Sequence, residues 1–174
     1  MTITPDTKDW TFVLDEVCPE CGFNANAVTG GEVADRLRRA VAQWPEVLER
    51  ADVRERPTPS TWSALEYGCH TRDVFRIFIR RLNLMLEEDD PVFDNWDQDK
   101  TAIDDSYAEQ EPAVVSEDLV AEGFTMAAGL DAVPDDAWSR TGRRSDGAVF
   151  TIDSFARYFL HDVEHHLWDV NRVR

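Results

Sequence analysis

Apolar residues recur at three- and four-residue intervals over four stretches of the chain, with polar residues between them. Val33, Leu37, Ala40, Val41, Trp44 and Leu48 make the first stripe, the spacing of one helix face. Thr29-Gly30-Gly31-Glu32 has the form of a capping box, so a helix is predicted from near Gly31. Pro45 lies inside the run and should kink or end it. Pro57 and Pro59 force extended backbone in the segment that follows. Ser63-x-x-Glu66 then caps a second helix, predicted to run to about Glu87, with Tyr67, Val74, Ile77, Phe78, Leu82 and Met85 on one face. A third helix is predicted over roughly Ser116 to Ala132, stopping before Pro134, and a fourth from about Thr151 onward. The stripe of the fourth is Ile152, Phe155, Phe159, Val163, Leu167 and Val170. Residues 88–115 set Phe93, Trp96 and Tyr107 among Asp and Glu; a connection this long is often a lid or the wall of a site. Ser145-Asp146-Gly147 signals a turn and a short hairpin just before the last helix.

Four helical segments and little β signal predict an all-α four-helix bundle over residues 29–174. An irregular N-terminal arm, residues 1–28, precedes it, with Trp10, Phe12, Val13 and Leu14 available to pin it to the core. The 174 residues are 43% hydrophobic, enough for one domain with a real core. No apolar run is long enough to span a membrane, and the N-terminus has neither a basic nor an apolar leader region. The expected location is therefore the cytoplasm. The net charge of −17 repels phosphate backbones and anionic lipid, which argues against nucleic-acid and membrane partners. The densest Arg clusters, Arg36–Arg39 and Arg72–Arg81, read as solvated helix faces.

Candidate chemistry is concentrated on the last helix. Three of the four histidines stand in His161-Asp162-Val163-Glu164-His165-His166; the fourth, His70, is on the second helix. Residues i and i+4 lie one above the other on a helix. His161 with His165, or Asp162 with His166, could therefore chelate one divalent ion, with His70 as a third ligand. Helical phase favours the second pair. His166 lies roughly 40–50° from the centre of the apolar stripe and Asp162 roughly 80–90°. His165 is about 140° away and His161 nearly opposite, so both face outward unless another segment covers them. Three protein ligands leave coordination positions open, as a catalytic metal requires.

Other features carry weaker signals. Cys18-Pro19-Glu20-Cys21-Gly22 looks like one knuckle of a zinc ribbon, but no second Cys pair exists. A tetrahedral site would have to borrow Cys69 or a His, or join two chains. Cys18 and Cys21 are read instead as reduced thiols of an ordered arm, and Cys69 as core. Asp73 is read as a helix-face charge, although it could orient His70. Trp96, Asp97 and Tyr107 could wall a pocket or merely cover the bundle, while Arg143, Arg144 and Asp146, just before the last helix, read as a solvated turn. Gly-rich phosphate loops and a serine nucleophile elbow are missing.

The run from TWSALEYGCHTRDVF to RSDG..FT..SFARYFLHDVEHHLWDV resembles the DinB/YfiT-like superfamily over about Val33 to Val170. Within it the chain looks most similar to members from bacteria that use mycothiol. The resemblance implies up-down-down-up helix order and a metal held by one His of the second helix and an i/i+4 pair of the last. On this chain those positions are His70, Asp162 and His166, with an Asp where other members have His or Glu. His161/His165 is the register shifted by one. The resemblance further implies one divalent transition metal, zinc first and nickel or iron as alternatives. It implies a low-molecular-weight thiol such as mycothiol, a small-molecule substrate and a homodimer. The expected activity is metal-dependent S-transfer or isomerisation of a small electrophile. The alternative is a metal- or ligand-binding bundle without catalysis. A role on DNA fits poorly with the charge.

Overall fold

The computed structural model describes residues 8–172, and four long helices dominate it. They are α1 (Gly30–Val41), α3 (Ala64–Glu87), α5 (Pro112–Asp131) and α6 (Ile152–Arg172), with short helices α2 (Trp44–Leu48) and α4 (Gln98–Asp104) between them. Each start has a local cause. The Thr29 backbone N–H and hydroxyl both donate to Glu32 at the head of α1 (2.9 and 2.8 Å). At α3, Ser63 donates its N–H and hydroxyl to Glu66, and its hydroxyl accepts the Glu66 N–H. Pro45 ends the first stripe, and α2 begins anew with that proline in its first turn. Helix α5 starts at Pro112, earlier than Ser116, because a proline's fixed φ suits a first helical position.

Cross-helix contacts fix the directions. Along α1, Gly30 meets Asp153 and Arg36 meets Glu164, so α1 and α6 run together. Helix α3 opposes α6, since Phe78 packs on Phe155, Phe75 on Phe159 and His70 on His166. Arg72 bonds Gln110 and Arg76 bonds Glu122, so α5 runs alongside α3. The order is up-down-down-up, and the parallel α3–α5 pair requires the long crossover 88–111 between them.

That crossover is more ordered than its composition suggested. It holds a two-residue strand, β1 (Val92–Phe93), then α4, then a 3-10 turn at Tyr107–Glu109. The expected hairpin forms as β2 (Thr141–Arg144) and β3 (Val149–Thr151), and β1 adds to it in parallel, in the order β1-β2-β3. The sheet covers the end of the bundle where α3 finishes and α6 begins. His70 and the histidines of α6 lie toward the opposite end. Residues 8–29 pack along α6, with Val13, Cys18, Phe23 and Ala25 buried. No helix among the described residues is long and apolar enough to cross a membrane.

Candidate metal centre

The capping box at Ser63 sets the phase of α3, and Glu66 is held in addition by Arg56. His70 follows and points into the bundle, fully buried. Its ring is clasped by two indoles: Trp96 lies parallel at 5.2 Å and Trp62 is tilted at 5.2 Å. Trp96 is itself fixed by donation of its indole N–H to the Thr101 hydroxyl at 2.7 Å. The His166 ring stands edge-on to His70, centroids 4.7 Å apart.

His70, Asp162 and His166 converge, with one ligand atom from each lying within 4.8 Å of the others. Asp162 Oδ1 is 3.6 Å from His70 Nε2 and 3.4 Å from His166 Nε2. His166 turns its Nδ1 to Asp169, 3.1 Å away. A carboxylate on the far ring nitrogen is the arrangement that fixes a metal-binding imidazole. Both ring nitrogens of His70 and Oδ1 of Asp162 are shut off from solvent and have no hydrogen-bond partner. Buried polar atoms without partners are rare and costly, and a divalent cation held here would take up Asp162 Oδ1 and one of the two His70 nitrogens. Burial lowers the pKa of His70 and favours the neutral ring. Burial alone would raise the Asp162 carboxyl, but the His166 and His70 imidazoles outweigh it and hold it down at about 2. Neutral imidazole and ionised carboxylate are the forms a metal needs.

Asp162 and His166 open onto a pocket of about 290 Å³. Trp10, Trp62, Tyr67 and Tyr158 supply its aromatic walls, and Asp99 and Arg172 its charged edge.

Several sequence candidates sit elsewhere. Asp73 is neither an exposed charge nor a partner of His70. It is buried and accepts from the Tyr107 hydroxyl at 2.6 Å and from Arg72 and Arg76. Cys69 is core, and burial pushes its thiol up to about 12. Arg144 pairs with Asp146 and reaches the Tyr158 hydroxyl, while Arg143 pairs with Asp90. Asp97 caps α4. Glu164 is held by a two-pronged bond to Arg36.

His161 and His165 do not face solvent; they are 3% and 5% exposed. The N-terminal segment covers them: Trp10 lies against both rings, at 5.4 and 5.0 Å, and Phe23 packs on His161. They form a second group with Cys18 and Cys21, whose ligand atoms again all lie within 4.8 Å of one another. The sequence signal for it was Cys-x-x-Cys followed, far along the chain, by His-x-x-x-His. The single Cys pair is completed by two histidines, not by a second Cys pair.

A sequence model of the DinB superfamily matches residues 32–170. Among solved structures, the chain is similar to YfiT from Bacillus subtilis, described as a probable metal-dependent hydrolase with an unusual four-helix bundle topology. The TM-score is 0.63 at 18% identity, covering 98% of this chain and 93% of that one. No curated protein matches the chain.

Proposed function

This chain belongs to the DinB superfamily, and on that premise we propose that it is a metal-dependent enzyme that transfers a low-molecular-weight thiol, such as mycothiol, to a small electrophile. The observation that carries the reading is the meeting of His70, Asp162 and His166 at a pocket, with buried polar atoms that lack partners. The three residues would hold one divalent ion, zinc first, with nickel or iron also suited to two imidazoles and a carboxylate. Bound there with open positions, the ion supplies positive charge that lowers the pKa of a thiol or water and polarises a substrate oxygen.

The chain's own residues do the rest. Asp169 accepts the Nδ1 proton of His166 and keeps its Nε2 directed at Asp162. Trp62 and Trp96 pack on the His70 ring and help to bury it. Trp10, Tyr67 and Tyr158 offer apolar surface for a small substrate, and Arg172, paired with Asp169 at 3.2 Å, offers a cation at the rim for an anionic group. The pocket is at the small end of the range for ligand sites.

The test combines elemental analysis with a transfer assay on wild type, His70→Ala and His166→Ala, using mycothiol and a panel of epoxides, alkyl halides and activated alkenes. Loss of one transition metal per chain in both variants, together with loss of transfer, is the expected result. Metal loss without transfer by the wild type, but with ester or amide hydrolysis, would move the reading to the hydrolase chemistry ascribed to YfiT. Metal loss with neither activity would leave a metal-binding bundle without catalysis.

A further inference from the structure

The Cys18-x-x-Cys21 knuckle and the His161/His165 pair have no part in the proposed chemistry, yet they meet where residues 8–29 pack on α6, with both histidines also lining the pocket of the His70 centre. We propose that Cys18, Cys21, His161 and His165 form a second, closed metal site, a tetrahedral zinc centre that fastens the N-terminal segment to the last helix.

Four observations support it. The first is ligand type and spacing. Two thiols separated by two intervening residues and two imidazoles one helical turn apart make the Cys₂His₂ set of structural zinc, here with the halves far apart in sequence. The second is backbone geometry. Gly22 donates to the Cys18 carbonyl and Cys18 donates to the Phe23 carbonyl, both at 2.9 Å, closing a tight loop. Gly22 turns that loop at φ +76°, where an L side chain is strained. The loop brings both thiols to the His pair. The third is distance. Cys18 Sγ lies 3.7 Å from His165 Nδ1. Zn–S of about 2.3 Å and Zn–N of about 2.0–2.1 Å at tetrahedral angles put S and N roughly 3.6 Å apart.

The fourth is what His161 and Cys18 otherwise lack. His161 Nε2 is buried with no hydrogen-bond partner. Cys18 is 1% exposed, and its weak contact to His165 does little to satisfy either. Zinc would complete all four valences. Two thiolates neutralise the dication and the imidazoles add no charge, so the centre is electrically neutral and suited to burial. Binding releases the two thiol protons to solvent. His165 keeps its Nε2 for Asp169 and Glu20, at 3.7 and 3.8 Å, as outer carboxylate partners.

All four positions are filled by protein, so this centre is structural where the His70 centre is open. Its consequence is positional: the segment it fastens carries Trp10, which walls the pocket.

The experiment uses full-length, untagged His70→Ala/His166→Ala protein, which removes the other centre, titrated with zinc and with cobalt. About one zinc per chain should remain. Its X-ray absorption should show two sulfur neighbours at about 2.3 Å. Cobalt should give a thiolate charge-transfer band and the intense visible bands of a tetrahedral ion. Adding Cys18→Ser and Cys21→Ser should take zinc to none, whereas Cys69→Ser should leave it. If the Ser variants fail to fold, the sulfur count and the cobalt spectrum of the Cys-intact protein still decide. No zinc in the Cys-intact protein, a zinc with one sulfur or none, or a Cys18–Cys21 disulfide that persists in protein purified under reducing conditions would overturn the proposal. Because the His70 centre is absent from this protein, failure here leaves the proposed activity untouched, and the converse holds.

Discussion

A single carboxylate governs how firmly the open centre is built. Asp169 is 3.1 Å from Nδ1 of His166 and 3.7 Å from Nε2 of His165, and it pairs with Arg172. Removing such an outer partner usually weakens a metal site roughly 10–100-fold. Asp169→Ala should therefore lose its ion to a chelator at concentrations where the wild type keeps it, while Asp169→Asn, which still accepts a hydrogen bond, should fall between. Equal retention by all three proteins would mean that His166 is oriented by packing on Tyr67 instead. Residues of this kind divide sharply in what a sequence discloses. The convergence of His70, Asp162 and His166 was legible because helical phase and the family resemblance favour the same three residues. Phase counted against the bundle core also turned His161 and His165 outward. That count could not include a second apolar layer, Trp10 and Phe23, supplied from the other end of the chain. Asp73 was misread for the same reason: its partner Tyr107 comes from the crossover, where no periodicity points to a direction.

At the scale of elements, α6 serves both clusters by interleaving two i/i+4 pairs one residue apart. The pairs therefore face directions about 100° apart on the helix. The register that looked like a choice is two faces of one helix, one toward α3 and one toward the N-terminal segment. Three of the four long helices were legible from their stripes, and α1 and α3 from capping boxes as well; α5 had neither, and its start lies four residues before the predicted one. The third strand was not legible, because two residues of β1 carry no alternation. How closely the helices approach shows at glycines. A Cβ on Gly123 of α5 would lie 2.5 Å from Val41 Cγ2 and 3.0 Å from Phe75 Cε2, whereas one on Gly31 of α1 would meet nothing within 4 Å. Alanine gains about 1 kcal/mol over glycine inside a helix, and less in a first turn. Forced overpacking costs about 1–3 kcal/mol. The same substitution should then have opposite signs: Gly31→Ala mildly stabilising, Gly123→Ala destabilising by up to about 2 kcal/mol, compared by urea denaturation of both variants beside the wild type. A stabilised Gly123→Ala protein would show that α1, α3 and α5 pack less tightly than these contacts indicate.

For the molecule as a whole, two opposed electrostatic effects act as pH falls from 7. A net charge of −17 repels itself, and neutralising it should favour the folded state. Against that stand buried imidazoles. Burial lowers the pKa of His70, His165 and His161, the last to about 4. An unfolded chain takes up these protons near pH 6.5, whereas the fold resists them. The unfolded state therefore binds more protons below pH 6.5, and stability must fall with pH through that window, down to about 4 for His161. Each imidazole kept neutral contributes about 1.4 kcal/mol per pH unit to that slope. The acidic residues offer little relief above pH 5, since ordinary carboxylates titrate near 4 and salt screens their repulsion. Between pH 7 and 5 the histidines should win. Metal-free protein in about 0.15 M salt should lose at least roughly 5 °C of Tm over that interval. Metal-loaded protein should lose more, because protons also displace the ion from its imidazoles. A flat or rising Tm in the metal-free protein would mean that the histidines titrate freely in the folded state, and both clusters would then lack the enclosure on which their proposed metal binding depends.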